Sequence, residues 1–217
     1  MKYLCLVLDH DDTVVKSTPS VHYPSFVRIM KAIRPNDPIE PMERFMEFCS
    51  EPGYFRYCED ILHFTAEEHI IEKDMWHEDV KNTIPDLYEG FFELLHEFKN
   101  AGGIICVVTH SVSRVVCRDY EAHDLPAPDA IFGADLPEEQ QKPNPWPIEE
   151  ICRRFNLQKG DLLMVDDLMT GLSMAQKCGI ASAAAGWSHI SPKIRERVRS
   201  SCTTYCESVD DLKNLVF

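Results

Sequence analysis

Three short apolar runs, each ending abruptly in polar residues, constrain the fold of this chain more than any other feature. The runs are YLCLVLD at 3–9, GIICVVTHS at 103–111 and DLLMVDD at 161–167. None of them alternates apolar with polar residues, as a strand with one solvated face does. Continuous apolar strands are typical of a parallel sheet covered on both faces, so the runs predict such a sheet.

Helical patterns separate and follow these predicted strands. One segment ends in glycines directly before the second run, and Pro147 followed by two glutamates is typical of a helix start. The predicted helices of this part of the chain cover residues 87–103, 147–155, 170–179, 191–198 and 208–217. Alternating strands and helices predict an α/β fold with a doubly wound parallel sheet, in which ligands bind beyond the carboxyl ends of the strands.

Residues 16–86 have a different pattern, because no run in them resembles a buried strand. Helices separated by prolines and a glycine are predicted over 25–33, 41–49, 58–72 and 74–82. We therefore expect a helical insertion after the first strand, with a return to the α/β pattern near residue 86.

The charge balance excludes two classes of partner. The chain has 217 residues with 36 acidic and 22 basic side chains, which gives a formal net charge of −14. A field of that sign repels nucleic-acid phosphates and anionic membrane surfaces. The nine cysteines are odd in number and scattered, and no segment has the length that spans a bilayer. These features predict a cytoplasmic protein with neither a nucleic-acid nor a membrane partner.

The four polar residues Asp9-His10-Asp11-Asp12 place three carboxylates directly after the first strand, where they repel one another. One interpretation is an acidic turn left in water. A second is a calcium loop, but Val14 and Ser20 occupy its glycine and glutamate positions, and a strand precedes the segment where a helix is required. The third is a phosphoryl-transfer site in which one carboxylate attacks phosphorus, another exchanges protons and Mg²⁺ offsets the charge.

Three further polar features have an ordinary structural interpretation when each is taken alone. Thr109 is then a strand-end hydroxyl, Lys142 a solvated lysine, and the pair Asp166-Asp167 a cap for the following helix. Together with the first acidic segment, they fall in order at three strand ends and one loop. This joint occurrence favours one shared site at the edge of the sheet.

In order and spacing, these motifs resemble those of the haloacid dehalogenase-like (HAD) superfamily, in its branch with a helical cap. The resemblance implies a core α/β domain formed by residues 1–15 and 87–217, and a helical cap domain formed by residues 16–86. The matching residues are Asp9, Asp11 and Thr13 in the first motif, Thr109 in the second, Lys142 in the third, and Asp166, Asp167 and Gly171 in the fourth.

The resemblance also implies Mg²⁺ as the cofactor. Its ligands would be Asp9, the backbone carbonyl of Asp11, and the pair Asp166-Asp167, with Asp167 as the principal ligand of the pair. Without the metal and Lys142, three or four carboxylates facing a phosphate would repel it, so the implied metal agrees with the charge of the motifs.

The remaining roles follow from the same resemblance. Asp9 is implied to be the nucleophile that forms an aspartyl-phosphate, and Asp11 the general acid and then the general base. Lys142 is implied to balance the negative charge of the nucleophile and the phosphoryl group. Thr109 is implied to hold phosphoryl oxygens, and we expect His110, which follows it, to line the pocket.

These roles predict a Mg²⁺-dependent phosphatase that hydrolyses a small soluble phosphomonoester. The alternatives are a sugar phosphomutase of the β-phosphoglucomutase type and a catalytically idle HAD-like binding protein. We expect a small phosphorylated metabolite as partner, and a monomer or small homo-oligomer. Some members with a helical cap carry a G-x-x-R loop that reaches the substrate; Gly53 and Arg56 match it, so Arg56 is a candidate substrate contact. Its alternative is a solvated loop arginine.

Overall fold

The structure is a computed structural model that describes residues 1–217, and its centre is one sheet of six parallel strands. The strands are β1 (Cys5–Leu8), β2 (Ile104–Val108), β3 (Ala130–Phe132), β4 (Leu162–Asp166), β5 (Ala181–Ala185) and β6 (Thr204–Cys206). Their order across the sheet is β3-β2-β1-β4-β5-β6, and every neighbouring pair is parallel. The predicted α/β class is confirmed, and each of the three apolar runs contains one of the strands.

Helices precede, cover and connect the strands. They are α1 (Tyr23–Ile33), α2 (Met42–Phe48), α3 (Tyr54–Arg56), α4 (Ala66–Asn82), α5 (Phe91–Asn100), α6 (Ser113–Ala122), α7 (Trp146–Phe155), α8 (Met169–Cys178), α9 (Pro192–Arg199) and α10 (Val209–Val216). Three π-helical turns, Thr18–His22, Cys49–Gly53 and Tyr57–Ile61, flank the first helices. None of the helices combines the length and the apolar character needed to cross a membrane.

Burial on both faces of the sheet explains why the strands are continuously apolar. Leu6 and Leu8 of β1 pack into one buried cluster with side chains of α5 and α10. Cys5 and Val7 point the other way, into a second cluster with side chains of α7 and α8. Because successive side chains of a strand alternate between faces, a strand covered on both sides has no position for a polar residue.

The strand order determines where a ligand binds. β1 pairs with β2 on one side and with β4 on the other, where Leu8 lies opposite Val165. The sequence order of the strands therefore reverses at β1, and the carboxyl ends of β1 and β4 open a crevice there. Asp9 follows β1 directly, and Asp166 ends β4, so both carboxylates lie at this crevice.

Residues 16–86 contain α1 to α4 and no strand, as the sequence pattern predicts. Their own buried cluster consists of Phe26, Met30, Phe45, Tyr57, Cys58 and Phe64. The chain leaves and re-enters the α/β part at adjacent points, since Lys16 N–H donates to Asp86 O at 2.7 Å and Tyr88 N–H to Val14 O at 3.1 Å. We propose, in line with these contacts, residues 1–15 and 87–217 as a core domain and 16–86 as a cap domain.

The helices predicted over 58–72 and 74–82 are divided differently in the structure. A single helix, α4, begins after Thr65, whose side-chain oxygen accepts the backbone N–H of Glu68 while the Glu68 carboxylate accepts the N–H of Thr65. This reciprocal capping satisfies two backbone donors, which is why the helix begins there. The helix then runs without a break to Asn82, across the boundary predicted between residues 72 and 74.

Glu68 links this helix start to α1, and its replacement is expected to lower stability in a pH-dependent way. Arg34 donates to both carboxylate oxygens of Glu68, each at 2.7 Å, and these bonds lower the pKa of Glu68 to about 2. Glu68→Gln should therefore reduce the free energy of unfolding by about 1 kcal/mol at pH 7, the upper range for a well-aligned pair near the surface.

The pH profile tests the cause of that loss. A depressed pKa in the folded state stabilises the fold above the ordinary glutamate pKa, and the contribution disappears as the pH falls from about 4.5 towards 2. Urea unfolding at pH 7, 4 and 3 should show the difference between Glu68→Gln and the parent shrinking. Glu67→Gln, an exposed position in the same first turn, is the matched control and should show no such change. A constant difference across the range would rule out the ion pair as the cause.

Candidate active site

Asp9 and Lys142 form a buried ion pair at the carboxyl end of β1. The backbone N–H of Asp9 donates to Val165 O at 2.8 Å, which fixes the residue directly beyond the sheet. Lys142, from the loop between β3 and α7, places its Nζ 2.5 Å from Asp9 Oδ1 and 2.8 Å from Asp166 Oδ2. Burial alone lowers the pKa of Lys142, but the carboxylates of Asp166 and Asp9 raise it above its ordinary value, so the ammonium stays charged.

Asp9, Asp166 and Asp167 form the acidic cluster of the site. Carboxylate oxygens of the three lie within 4.8 Å of one another, and all three residues are buried. Burial and the neighbouring charges of Asp166 and Asp9 raise the pKa of Asp167 well above its ordinary value. Lys142 alone does not neutralise three carboxylates. Closely spaced, buried carboxylate oxygens fit a hard divalent cation, so the donor set agrees with the Mg²⁺ that the sequence implies.

The two members of the acidic pair differ in how many protein donors they already have. Asp166 Oδ2 accepts from Lys142, and its Oδ1 accepts the backbone N–H of Leu168 at 2.7 Å. The Asp167 carboxylate accepts only the hydroxyl of Thr13, at 3.4 Å. Asp167 therefore has more free lone pairs for a cation than Asp166 has.

Close packing against Asp166 explains why the fourth motif has a glycine at position 171. A Cβ at this position would lie 2.1 Å from Asp166 Oδ2, the oxygen that binds Lys142. No side chain fits there without displacing the carboxylate, so this packing requires glycine at the start of α8.

Asp11 lies in a different environment from the acidic cluster. Its Oδ1 accepts from Ser17 Oγ and its Oδ2 from Ser111 Oγ, both at 2.6 Å, and His22 Nε2 lies 3.5 Å from Oδ1. Burial tends to raise the pKa of Asp11, but the hydrogen bonds from His22 and Ser111 and the nearby imidazoles lower it overall. Two carboxylates two residues apart thus occupy chemically distinct surroundings, and those of Asp11 favour its ionised form, the form that acts as a base.

Trp76 connects the helical insertion to Asp11 through His22. The indole Nε1–H of Trp76 donates to His22 Nδ1 at 3.2 Å. Because Nδ1 then acts as the acceptor, the imidazole proton lies on Nε2, which faces Asp11. The sequence analysis missed His22, Trp76 and Ser17, since no spacing rule relates them to the D-x-D-x-T motif.

The end of β2 supplies Thr109 and His110, as the sequence analysis expects. Thr109 is buried, and its Oγ1 accepts the backbone N–H of Ser111 at 3.0 Å, which leaves the hydroxyl proton free to donate. His110 Nε2 lies 3.0 Å from Lys142 O and therefore anchors the backbone of the lysine loop. Burial and then the charge of Lys142 lower the pKa of His110, so the imidazole is a neutral donor here.

Asp12 occupies a position with a left-handed backbone, φ +56°. Asparagine and aspartate adopt this region more readily than other residues with a side chain, and Asp12 Oδ1 also accepts the backbone N–H of Thr18 at 2.9 Å. Asp12 thus stabilises the turn that leads into the first π-helical segment, and its left-handed backbone explains why an aspartate is suited to this position.

Arg56 is the one predicted site residue that the structure does not bring to the site. It is exposed, with its guanidinium 3.4 Å from Asp60 one helical turn later, and it is absent from the cavity lining. The G-x-x-R spacing is present, but the exposed Arg56 side chain agrees with the alternative expectation of a solvated loop arginine.

Several of the polar groups described above open onto one cavity of about 270 Å³, which residues of the helical insertion also line. Asp9, Asp11, His110, Lys142 and Asp167 line its floor. Residues of α2, α3 and α4 line the opposite side, so a ligand bound at Asp9 is enclosed from both parts of the chain.

The chain matches the sequence profile described as haloacid dehalogenase-like hydrolase over residues 6–185, which covers β1 to β5 and every motif residue above. It belongs to the haloacid dehalogenase-like hydrolase family. The family assignment made from the motifs is therefore confirmed.

Individual relatives also support the family assignment. A phosphoglycolate phosphatase of Vibrio vulnificus (strain CMCP6) is 27% identical over 123 residues, which cover 55% of this chain and 53% of that protein. The chain spans about half the length of the curated relatives that it matches.

Two solved structures show the same fold. A predicted phosphoglycolate phosphatase from Haemophilus somnus 129PT has a TM-score of 0.77 at 22% identity and covers 100% of this chain and 99% of that chain. CbbY from Rhodobacter sphaeroides, solved in complex with xylulose-(1,5)bisphosphate, has a TM-score of 0.70 at 19% identity and covers 95% of this chain and 94% of that chain. The haloacid dehalogenase-like fold therefore extends over the whole chain.

Proposed function

We propose that this protein is a Mg²⁺-dependent phosphatase that hydrolyses a small phosphomonoester through an aspartyl-phosphate intermediate. One observation carries the proposal: Asp9 is paired with Lys142 inside a buried acidic cluster, while Asp11 lies two residues away in a separate hydrogen-bonded environment. The relatives named phosphoglycolate phosphatase support phosphomonoester hydrolysis as the reaction class.

Asp9, Asp167 and Asp166 would hold the metal, together with the backbone carbonyl of Asp11. When bound, Mg²⁺ polarises the phosphoryl oxygens and offsets the charge of the carboxylates around them. Lys142 Nζ, already 2.5 Å from Asp9 Oδ1, contributes a second positive charge beside the attacking oxygen.

The first half-reaction transfers the phosphoryl group to the protein. A carboxylate oxygen of Asp9 attacks phosphorus, the ester P–O bond breaks, and the leaving alkoxide takes a proton from Asp11. The hydrogen bonds from Ser17 and Ser111 hold the Asp11 carboxyl in place for this transfer. Thr109 Oγ1, whose hydroxyl proton is free, would donate to a phosphoryl oxygen, while His110 holds the backbone of the lysine loop.

The second half-reaction returns the protein to its starting state. Asp11, now ionised, takes a proton from water as that water attacks phosphorus, and the bond between phosphorus and Asp9 breaks to release inorganic phosphate. The Nε2–H of His22 faces the Asp11 carboxylate and stabilises this ionised form.

The free thiols support a location in a reducing compartment. All nine cysteines are unpaired, including the neighbours Cys5 and Cys106 inside the core. We propose the cytoplasm as the site of action and a phosphorylated metabolite as the substrate.

A phosphate-release assay tests the proposed function. The purified protein is incubated with p-nitrophenyl phosphate and a panel of biological phosphate esters, with Mg²⁺ and with EDTA. We expect phosphate release with Mg²⁺ and its loss with EDTA. Conversion of β-glucose 1-phosphate into glucose 6-phosphate without net phosphate release would identify a phosphomutase, and no release from any ester would refute the proposal.

Asp167 is expected to contribute more to metal affinity than Asp166. Both oxygens of Asp166 already accept protein hydrogen bonds, whereas Asp167 has a single long one from Thr13. In a Mg²⁺ titration of activity, Asp167→Asn should weaken the metal by more than the roughly 10- to 100-fold that loss of an outer partner costs, and Asp166→Asn should stay within that range. A larger loss for Asp166→Asn would reverse the assignment.

A further inference from the structure

The side of the cavity that faces Asp9 is apolar. We name this side the apolar wall; it consists of Phe45, Met46, Cys49, Tyr54, Trp76 and Ile194. The polar atoms of its two amphipathic members are already occupied, since Tyr54 Oη donates to Glu72 at 2.8 Å and Trp76 Nε1 donates to His22. A ligand that contacts this wall therefore meets mainly carbon and sulfur, and its one free donor is the weak Cys49 thiol.

The cavity also lacks a free cation for a second anionic group. Lys142 is the only lysine or arginine that lines it, and its ammonium is held between Asp9 and Asp166. His22, His110 and His189 line the cavity as well, and their Nε2 atoms face Asp11, Lys142 O and Asp167 O respectively.

Other basic residues lie in a neighbouring cleft and not in this cavity. Lys81, Arg114 and Arg118 line that cleft, which adjoins the cavity at Trp76 and His110. Arg118 is occupied there, because it donates to the carbonyls of Val80 and Thr83 and pairs with Asp119.

We propose that the substrates of this phosphatase are phosphomonoesters of uncharged, largely apolar alcohols, with the alkyl or aryl group against the apolar wall. This inference rests on the proposed function. A carboxylate or second phosphate in the same place would lose its hydration next to Asp11 and Asp167 without gaining a partner. Each methylene buried against the wall contributes about 0.8 kcal/mol, or roughly fourfold in kcat/KM.

A matched substrate series tests the proposal on the wild-type protein with Mg²⁺. Ethyl, propyl and hexyl phosphate lengthen the apolar group, and 2-phosphoglycolate has nearly the size of propyl phosphate but carries a carboxylate. We expect kcat/KM for hexyl phosphate to exceed that for propyl phosphate at least about tenfold, since three methylenes are added. We expect 2-phosphoglycolate to fall at least about tenfold below propyl phosphate. Faster turnover of 2-phosphoglycolate or of a sugar bisphosphate would overturn the inference.

A charge placed in the wall gives a second test. Met46 is 8% exposed and unbranched, so in Met46→Lys the flexible side chain can direct an ammonium into the cavity. The ratio of kcat/KM for 2-phosphoglycolate to that for propyl phosphate should rise at least about tenfold. Met42→Lys adds the same charge one turn earlier on α2, outside the cavity lining, and should leave the ratio unchanged. Equal ratios in Met46→Lys and wild type would contradict the wall as the specificity determinant.

Binding separates this inference from the proposed function. Calorimetry with hexylphosphonate and phosphonoacetate measures the preference of the cavity without any hydrolysis. Tighter binding of hexylphosphonate supports the apolar wall even for a protein that hydrolyses no ester, a result that would refute only the proposed function. Tighter binding of phosphonoacetate overturns the substrate class while leaving phosphatase activity intact.

Discussion

Replacing Asp9 by asparagine is expected to reduce turnover at least about 10⁴-fold, because an amide oxygen does not attack phosphorus at a useful rate. The fold should survive the change. Asp9 lies within 4.8 Å of two other carboxylates, so the amide removes repulsion, and Lys142 keeps its second partner at 2.8 Å. Phosphate release from p-nitrophenyl phosphate with saturating Mg²⁺ measures the loss, and thermal unfolding checks that the variant is folded.

Asp12→Asn is the matched control for Asp9→Asn. It makes the same carboxylate-to-amide change in the same loop, and asparagine also tolerates the left-handed backbone at φ +56°. The amide oxygen can still accept the N–H of Thr18. Turnover within about tenfold of wild type is expected, since Asp12 stabilises the turn and performs no chemical step. If Asp9→Asn kept more than a few per cent of wild-type turnover, another nucleophile would have to be sought.

The strands that the sequence predicts are those whose burial is complete. β1, β2 and β4 lie in the middle of the sheet, and every one of their side chains is buried or nearly so. β5 consists of alanines and one serine, and β3 and β6 have three residues each. Such short or small-residue segments carry no pattern that separates them from loops, so only packing against the central strands defines them.

The helix α6 was also missed, for a related reason. Only Val116, Asp119 and Tyr120 are buried in it, and one of these is a carboxylate. Asp119 is buried because it accepts from Arg118 and lies 3.0 Å from His10 Nε2, a contact between residues far apart in the chain. Periodicity of apolar residues does not reveal a helix face that is polar through tertiary pairing.

The candidate site was predictable where the sheet brings its residues together. Asp9, Thr109 and the pair Asp166-Asp167 follow or end parallel strands, so their convergence depends only on the strand order. His22 and Trp76 reach the site from the helical insertion, and their positions depend on how α1 and α4 pack. Arg56 has the G-x-x-R spacing, yet its side chain is exposed beside Asp60. A four-residue spacing therefore does not determine the direction of a side chain.

Replacing Asp11 by asparagine is expected to reduce turnover of alkyl phosphates by about 10²- to 10⁴-fold, the usual contribution of a positioned general acid. The amide keeps hydrogen-bonding atoms for Ser17 and Ser111, so the variant should fold. It cannot give a proton to the leaving oxygen, and this matters most for a poor leaving group such as an alkoxide. Nitrophenolate leaves without a proton, so transfer of the phosphoryl group from p-nitrophenyl phosphate to Asp9 should be slowed far less.

The second half-reaction still needs a base, so the same variant should show a burst. Rapid mixing of Asp11→Asn with p-nitrophenyl phosphate is expected to release about one equivalent of nitrophenol quickly, followed by slow turnover as the aspartyl-phosphate waits for water. Ser111→Ala is the control, since it removes one donor to Asp11 Oδ2 but leaves the carboxyl itself. Its smaller loss should be similar for alkyl and nitrophenyl esters, without a burst. Equal losses on both esters in Asp11→Asn, with no burst, would show that Asp11 orients the site and does not carry the proton.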